Sequence, residues 1–146
     1  MLLSELMPVT ELLDEEDFPL FEMANLGCDD TGINMGIIFI STKIESHGCR
    51  IKFMLRADDQ SNMLSLSIPD YIIGVDKLGT RLSDTVRKEV MRFAIKNHDK
   101  ILYFWNNGTS LNRHALADFL NSFEPLTDAE KKASRKLELK FKKGVR

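Results

Sequence analysis

Apolar and polar residues change their rhythm about halfway along the chain. From residue 20 to 75 the dominant period is two, the signature of strands with one face buried. "LFEMANL" (20–26) reads as a first strand, and "MGIIFISTK" (35–43) as a second. The unbroken run Ile37-Ile38-Phe39-Ile40 predicts burial on both faces of that second strand, hence a central place in the sheet. "CRIKFMLR" (49–56) alternates strictly: Cys49, Ile51, Phe53 and Leu55 point one way, and Arg50, Lys52, Met54 and Arg56 the other. "MLSLSI" (63–68) alternates again and is stopped by Pro69, and "YIIGV" (71–75) reads as an edge strand. "GCDDTG" and "ADDQSN" supply the Asp, Asn and Gly residues that turns use.

Beyond residue 80 the period becomes helical. Ser83 or Asp84 caps a helix running to about Asn97, with Val86, Val90, Phe93 and Ala94 on one face. "HDKILYFWNNG" predicts a second helix with Ile101, Leu102 and Trp105 inward and a stop at Gly108, and "NRHALADFLNSF" a third, ended before Pro125. "TDAE" (127–130) has capping-box spacing and opens a basic helix whose apolar stripe, Ala129, Ala133, Leu137 and Phe141, is one residue wide. Strands first and helices afterwards imply an α+β fold: an antiparallel meander of four to five strands, followed by three to four helices packed on one face. The chain divides into an acidic N-terminal arm (1–19), a single α+β domain (20–125) and a basic C-terminal helix or tail (126–146).

Composition adds little to this picture except through the placement of charge. A chain of 146 residues, 43% apolar and 29% charged, is of ordinary globular make-up. Its net charge of −2 argues against the whole molecule being a dedicated nucleic-acid binder. Yet residues 1–30 hold nine carboxylates and no Lys or Arg, while residues 131–146 hold eight Lys or Arg and one Glu. No stretch approaches the roughly 18 apolar residues of a membrane span, the start lacks the pattern of a signal peptide, and two cysteines without C-x-x-C spacing suit a reducing cytoplasm.

Three constellations carry candidate chemistry. The first is "STKIESHGCRIKF", with His47 and Cys49 two residues apart. One His and one Cys are too few ligands for zinc, and neither His98 nor His114 has a spacing that brings it to His47. The reading is a turn with an exposed His47 and a Cys49 facing the core. Cys28 and Cys49 fall at opposite ends of a meander and so remain free thiols. The second is a pair of turns at one end of the sheet, Asp29-Asp30 and Asp58-Asp59. Four carboxylates there would attract a divalent cation or a basic partner. The third is a basic stripe, Lys43, Arg50, Lys52 and Arg56, suited to phosphates or acidic protein. No P-loop, dinucleotide fingerprint, zinc-protease or nucleophile-elbow motif is present in the sequence, and no cofactor is implied.

"TGINMGIIFISTK" followed by "HGCRIKF" resembles a pattern in small bacterial proteins of unassigned function: Thr-Gly-Leu-Pro, an apolar strand ending in Ser, then His-x-x-Arg-Val-Lys. "VMRFAIKNHDKILYFWNNG" is similar to their helical end. The likeness covers about residues 20–125 and departs at Asn34, where the pattern has Pro. It brings no activity with it, but it marks Thr31, Gly32, His47, Arg50, Lys52, Asn97 and Trp105 as positions of interest.

The resulting expectation is a non-enzymatic cytoplasmic module that binds a protein partner or a second copy of itself as a homodimer. A nucleic-acid-associated protein using the stripe and tail is the alternative, and a small metal-dependent hydrolase using the Asp turns the third.

Overall fold

A computed structural model describes residues 23–43 and 48–146. The acidic arm, the start of the first predicted strand and His47 lie outside the described residues. The fold is α+β. One sheet holds six strands in sequence order: β1 (Met23–Leu26), β2 (Ile37–Ser41), β3 (Arg50–Met54), β4 (Met63–Ser67), β5 (Ile72–Asp76) and β6 (Lys140–Phe141). The first five pair antiparallel with their neighbours, and β6 lies parallel to β5.

The helices cover one face. They are α1 (Cys28–Thr31), α2 (Asp84–Lys96), α3 (His98–Asn107), α4 (Arg113–Asn121) and α5 (Asp128–Ser134). Alternation explains the contact. Ala24, Leu26, Ile38, Ile40, Ile51, Phe53, Leu64, Leu66 and Ile73 each sit on the inward phase of a strand and form one core with Val90, Phe93, Ala94, Ile101, Phe104 and Leu116. Trp105 is buried in this core, as its spacing from Ile101 predicts. Phe39 and Met54, on the outward phase, are also buried, so the apolar run in β2 is covered on both sides.

Caps fall where the sequence places them. The Ser83 hydroxyl accepts from the Val86 N–H, Asn112 from Ala115, and Thr127 from Glu130 in a capping box. Asn97 separates α2 from α3 and is 2% exposed. Its amide donates to the carbonyls of Phe93 (3.1 Å) and Glu124 (3.0 Å) and accepts from the Glu124 N–H (2.9 Å). The next turn of the same segment is held from the other side, where the Leu126 N–H donates to the Thr31 carbonyl at 2.8 Å. Gly32 has φ +76, and a Cβ there would stand 2.4 Å from the Leu126 carbonyl oxygen, so only glycine fits this crossing. Thr31, Gly32 and Asn97 therefore pin residues 124–126.

Three local expectations are corrected. "GCDDTG" is a short helix, α1, because Asp30 accepts from the Gly27 N–H and Gly32 ends it in the left-handed region. The strand at 72–76 is not the sheet edge, since β6 lies outside it. The basic helix stops at Ser134 instead of continuing through Phe141, and the chain returns to the sheet. There Leu137, Leu139, Phe141 and Val145 pack against the core.

The α5 helix is tied to α2 by Lys96, which donates to Glu130 at 2.6 Å and to the Pro125 carbonyl at 2.9 Å. The Lys96 hydrogen bond and the Thr127 backbone hold the Glu130 carboxyl down to about 2. A carboxyl depressed in the folded state stabilises above its unfolded pKa and loses that contribution as pH falls through the folded one. Unfolding free energy should therefore decline between about pH 5 and about pH 2, and Glu130→Gln should flatten that decline by on the order of 1 kcal/mol, the pair being partly solvated. Urea melts across this range, compared between the two proteins, check the slope; parallel curves would show that the tie does not titrate.

Candidate anion site on the sheet face away from the helices

The alternation that turns Ile51 and Phe53 into the core turns Arg50 and Lys52 to the opposite face of β3, where both are half-buried. Register sets their neighbours. Arg50 stands opposite Ser67 and Lys52 opposite Ser65 on β4, with Phe39 of β2 on the other side of Lys52. The β4–β5 ladder shifts register between Ser65 and Leu66. Val75 pairs with Ser65 and Ile73 with Leu66, which leaves Gly74 as the extra residue of a bulge. A Cβ on Gly74 would meet the Ser65 hydroxyl oxygen at 3.5 Å, ordinary contact, so this glycine leaves space that a side chain would fill.

That space belongs to a pocket of about 240 Å³ lined by Arg50, Ser65, Ser67 and Lys142 and by the less polar Gly48, Cys49, Ile72, Gly74 and Val75. Lys142 arrives because β6 lies against β5: its N–H donates to the Ile73 carbonyl at 2.8 Å. The preceding Phe141 packs against the core and carries the Arg146 guanidinium 4.3 Å over its ring. Two basic features that are remote in the sequence, the β3 stripe and the C-terminal stretch, thus meet at one hole.

Its electrostatics are one-sided. Among the described residues, no carboxylate forms an ion pair with Arg50, Lys52 or Lys142. Burial first, and the charge of Arg50 second, push the Lys52 ammonium below its usual range. The Arg50 Nε is out of solvent and makes no hydrogen bond, a donor that costs roughly 1–3 kcal/mol while unmet. The Ser67 hydroxyl accepts from the Ile72 N–H at 3.0 Å, and its own O–H remains to donate. Burial pushes the Cys49 thiol up to about 11, so at neutral pH it is a small apolar wall and not a nucleophile.

The other predicted residues are dispersed. Arg56 lies past the end of β3 and forks onto Asp58 at 3.1 and 3.3 Å, exposed and away from the pocket. Lys43 is exposed beyond β2, with its N–H donating to the Trp105 carbonyl at 2.8 Å. Asp29, Asp30, Asp58 and Asp59 each have a local setting. Asp29 and Asp30 occupy the first turn of α1, Asp58 is paired with Arg56, and Asp59 accepts from the Asn62 amide at 2.9 Å. Among the described residues, no three His, Cys, Asp or Glu side chains stand close enough to hold a metal ion. Cys28 and Cys49 are free, the first exposed and the second buried. No helix among the described residues is long and apolar enough to cross a membrane.

Ser65, Ser67, Gly74 and Lys142 are absent from the residues the sequence singles out. A glycine inside the strand pattern "YIIGV" is the one signal that points to them, because it marks a bulge or a close approach. Comparison with protein-family models, with curated proteins and with solved structures finds no match to this chain.

Proposed function

We propose that this chain is a non-catalytic binding module that captures an acidic group carried by a partner protein. The observation that carries the reading is the convergence of Arg50 and Lys142 on one pocket, beside Lys52, with no carboxylate among the described residues to neutralise them. Arg50 and Lys52, half-buried on one face, repel each other, with the exposed Lys142 nearby, and an incoming anion relieves that cost. The size of the pocket, about 240 Å³, lies below the roughly 300–1,000 Å³ that enclose a whole small ligand. It suits one charged group on a larger partner. A nucleic-acid track has less support. Part of the C-terminal charge is already committed, since Arg146 forks onto Asp84 at 2.9 and 3.1 Å and Lys131 reaches Asn34 at 3.4 Å.

The test uses the full chain and a synthetic peptide rich in Asp and Glu, with an Asn/Gln peptide as control. The acidic peptide should bind, weaken with added salt as screened charges do, and lose about tenfold or more in affinity with Arg50→Gln, a change of about 1.4 kcal/mol. The melting temperature should hold, because Arg50 anchors nothing else among the described residues. Equal affinity for the neutral peptide would remove the reading. So would preferential binding of an arbitrary DNA or RNA strand.

A further inference from the structure

We infer that the acidic group is a phosphate monoester, presented end-on by a phosphorylated serine or threonine of the partner. This rests on the binding reading above and adds the chemical class of the group.

The match is first one of charge. A phosphoserine carries about −1.5 to −2 near neutral pH, whereas a carboxylate carries one charge. Arg50, half-buried, and Lys142, exposed, bring two positive charges to the lining of one pocket, with Lys52 adjoining on the same face of β3.

The second match is in the number and direction of donors. A carboxylate is planar with two oxygens, and the guanidinium fork of one Arg satisfies it. Here the lining residues that carry donors come from three strands: Arg50 from β3, Ser65 and Ser67 from β4, and Lys142 just past β6. That distribution fits the three terminal oxygens of a tetrahedral group. The Ser67 hydroxyl accepts from the Ile72 N–H at 3.0 Å and keeps its own O–H to donate. The bulge at Gly74 supplies the room, in the way backbone is bared elsewhere where a phosphate must approach closely.

The third match is in shape. A phosphodiester carries substituents on two oxygens and one negative charge, so its chain must pass both into and out of the site. A group-sized hole that presents two cations is better filled by a monoester with one substituent and two charges.

Gly74 gives a test that leaves every charge in place. Its φ is not in the left-handed region, and an added Cβ makes only the 3.5 Å contact with Ser65, so Gly74→Val fills the pocket without straining the backbone. O-phosphoserine and glutamate, which share their backbone charges, are titrated into the full chain while the amides of Ser65, Ser67 and Gly74 are followed by NMR. O-phosphoserine should bind about tenfold tighter than glutamate. Its affinity should rise severalfold between about pH 5 and about pH 7.5, as its second ionisation near pH 6 completes, while glutamate should show no such rise. Gly74→Val and Lys142→Gln, each with a dispersed, folded spectrum, should both lose the effect; Lys142→Gln decides the matter if the valine variant does not fold.

Glutamate binding as tightly as O-phosphoserine, without pH dependence, overturns the phosphate inference and leaves the acidic-group reading standing. Binding of neither, together with failure of the acidic peptide, overturns both. Binding that survives both variants places the ligand outside this pocket and overturns the site.

Discussion

Replacing Arg87 with methionine should cost about 3–5 kcal/mol of stability, the range found when one member of a buried ion pair is removed. Arg87 sits in the first turn of α2 and is 2% exposed, yet all five of its N–H donors are used. Nε and Nη2 fork onto the Asp76 carboxylate at 3.0 Å each, Nη2 also reaches the Gly79 carbonyl at 2.8 Å, and Nη1 serves the Leu82 carbonyl and Asp84. One side chain thereby ties the end of β5, the Gly79–Arg81 turn and the start of α2 into one body. Methionine fills much of the volume, so the loss comes from Asp76, whose side chain is 6% exposed and would keep only the long hydrogen bonds from the Leu78 and Gly79 N–H groups, with no cation beside it. Asp84 adds little, since it is half in solvent and has Arg146 as a second partner. In urea the midpoint should fall by about 1–3 M with the slope unchanged. Pairing the change with Asp76→Leu should recover most of the loss, because apolar replacement of a whole buried pair is often neutral. A single variant within about 0.5 kcal/mol of the parent, the scatter of ordinary surface changes, would show that the cluster does not hold the fold.

Deleting residues 135–146 should lower stability by about 2–4 kcal/mol and abolish anion binding together. Leu137, Leu139, Phe141 and Val145 are each half-buried against the core. Side chains of this kind contribute about 1.5–3 kcal/mol when fully buried, so four of them at half burial amount to about 3–6 before the entropy of ordering the segment is set against them. The β5–β6 hydrogen bond, the Arg146–Asp84 fork and the bond from the Lys88 ammonium to the Arg135 carbonyl go with them. A fall in melting temperature of about 4–16 °C is expected for a domain of this size. A truncated chain melting within about 2 °C of the full one would mean that the segment is only loosely applied. If it melted lower but still bound the acidic peptide, Lys142 would be dispensable to the site.

That segment also shows where the sequence misleads. Leu137 and Phe141 belong both to a helical stripe with Ala129 and Ala133 and to the alternation Leu137, Leu139, Phe141. Only Leu139 distinguishes the two, and the capping box at Thr127 favours the helix. The helix does form, but it ends at Ser134, because beyond it the chain gains more by packing Leu139 and Phe141 beside β5 than by extending a helix with a one-residue apolar stripe. The meander was legible for the opposite reason: in "CRIKFMLR" every second residue agrees with one face. Half of the candidate site was legible on the same basis, since alternation alone puts Arg50 and Lys52 on the face away from the core. The other half depends on which strands become neighbours. Lys142 joins the pocket that Arg50 lines only through the parallel β5–β6 pairing, and no local pattern encodes that pairing. The Asp turns are a different case. Placing them at the same end of a sheet says nothing of local partners, and Arg56, Asn62 and the α1 backbone claim three of the four carboxylates.

The shortness of β6 has a bearing on how copies of this protein treat one another. A strand that ends a sheet offers unpaired N–H and C=O groups as a template for another chain. β5, with Ile72, Ile73 and Val75, would be an adhesive margin if left bare. Capping it with a two-residue strand that begins with Lys140 and is followed by Lys142 and Lys143 leaves a margin too brief to register a partner strand and too positive to meet its own image. Lys142, which lines the neighbouring pocket, thus belongs with Lys140 and Lys143 to a guard against fibre-like stacking along this side of the sheet.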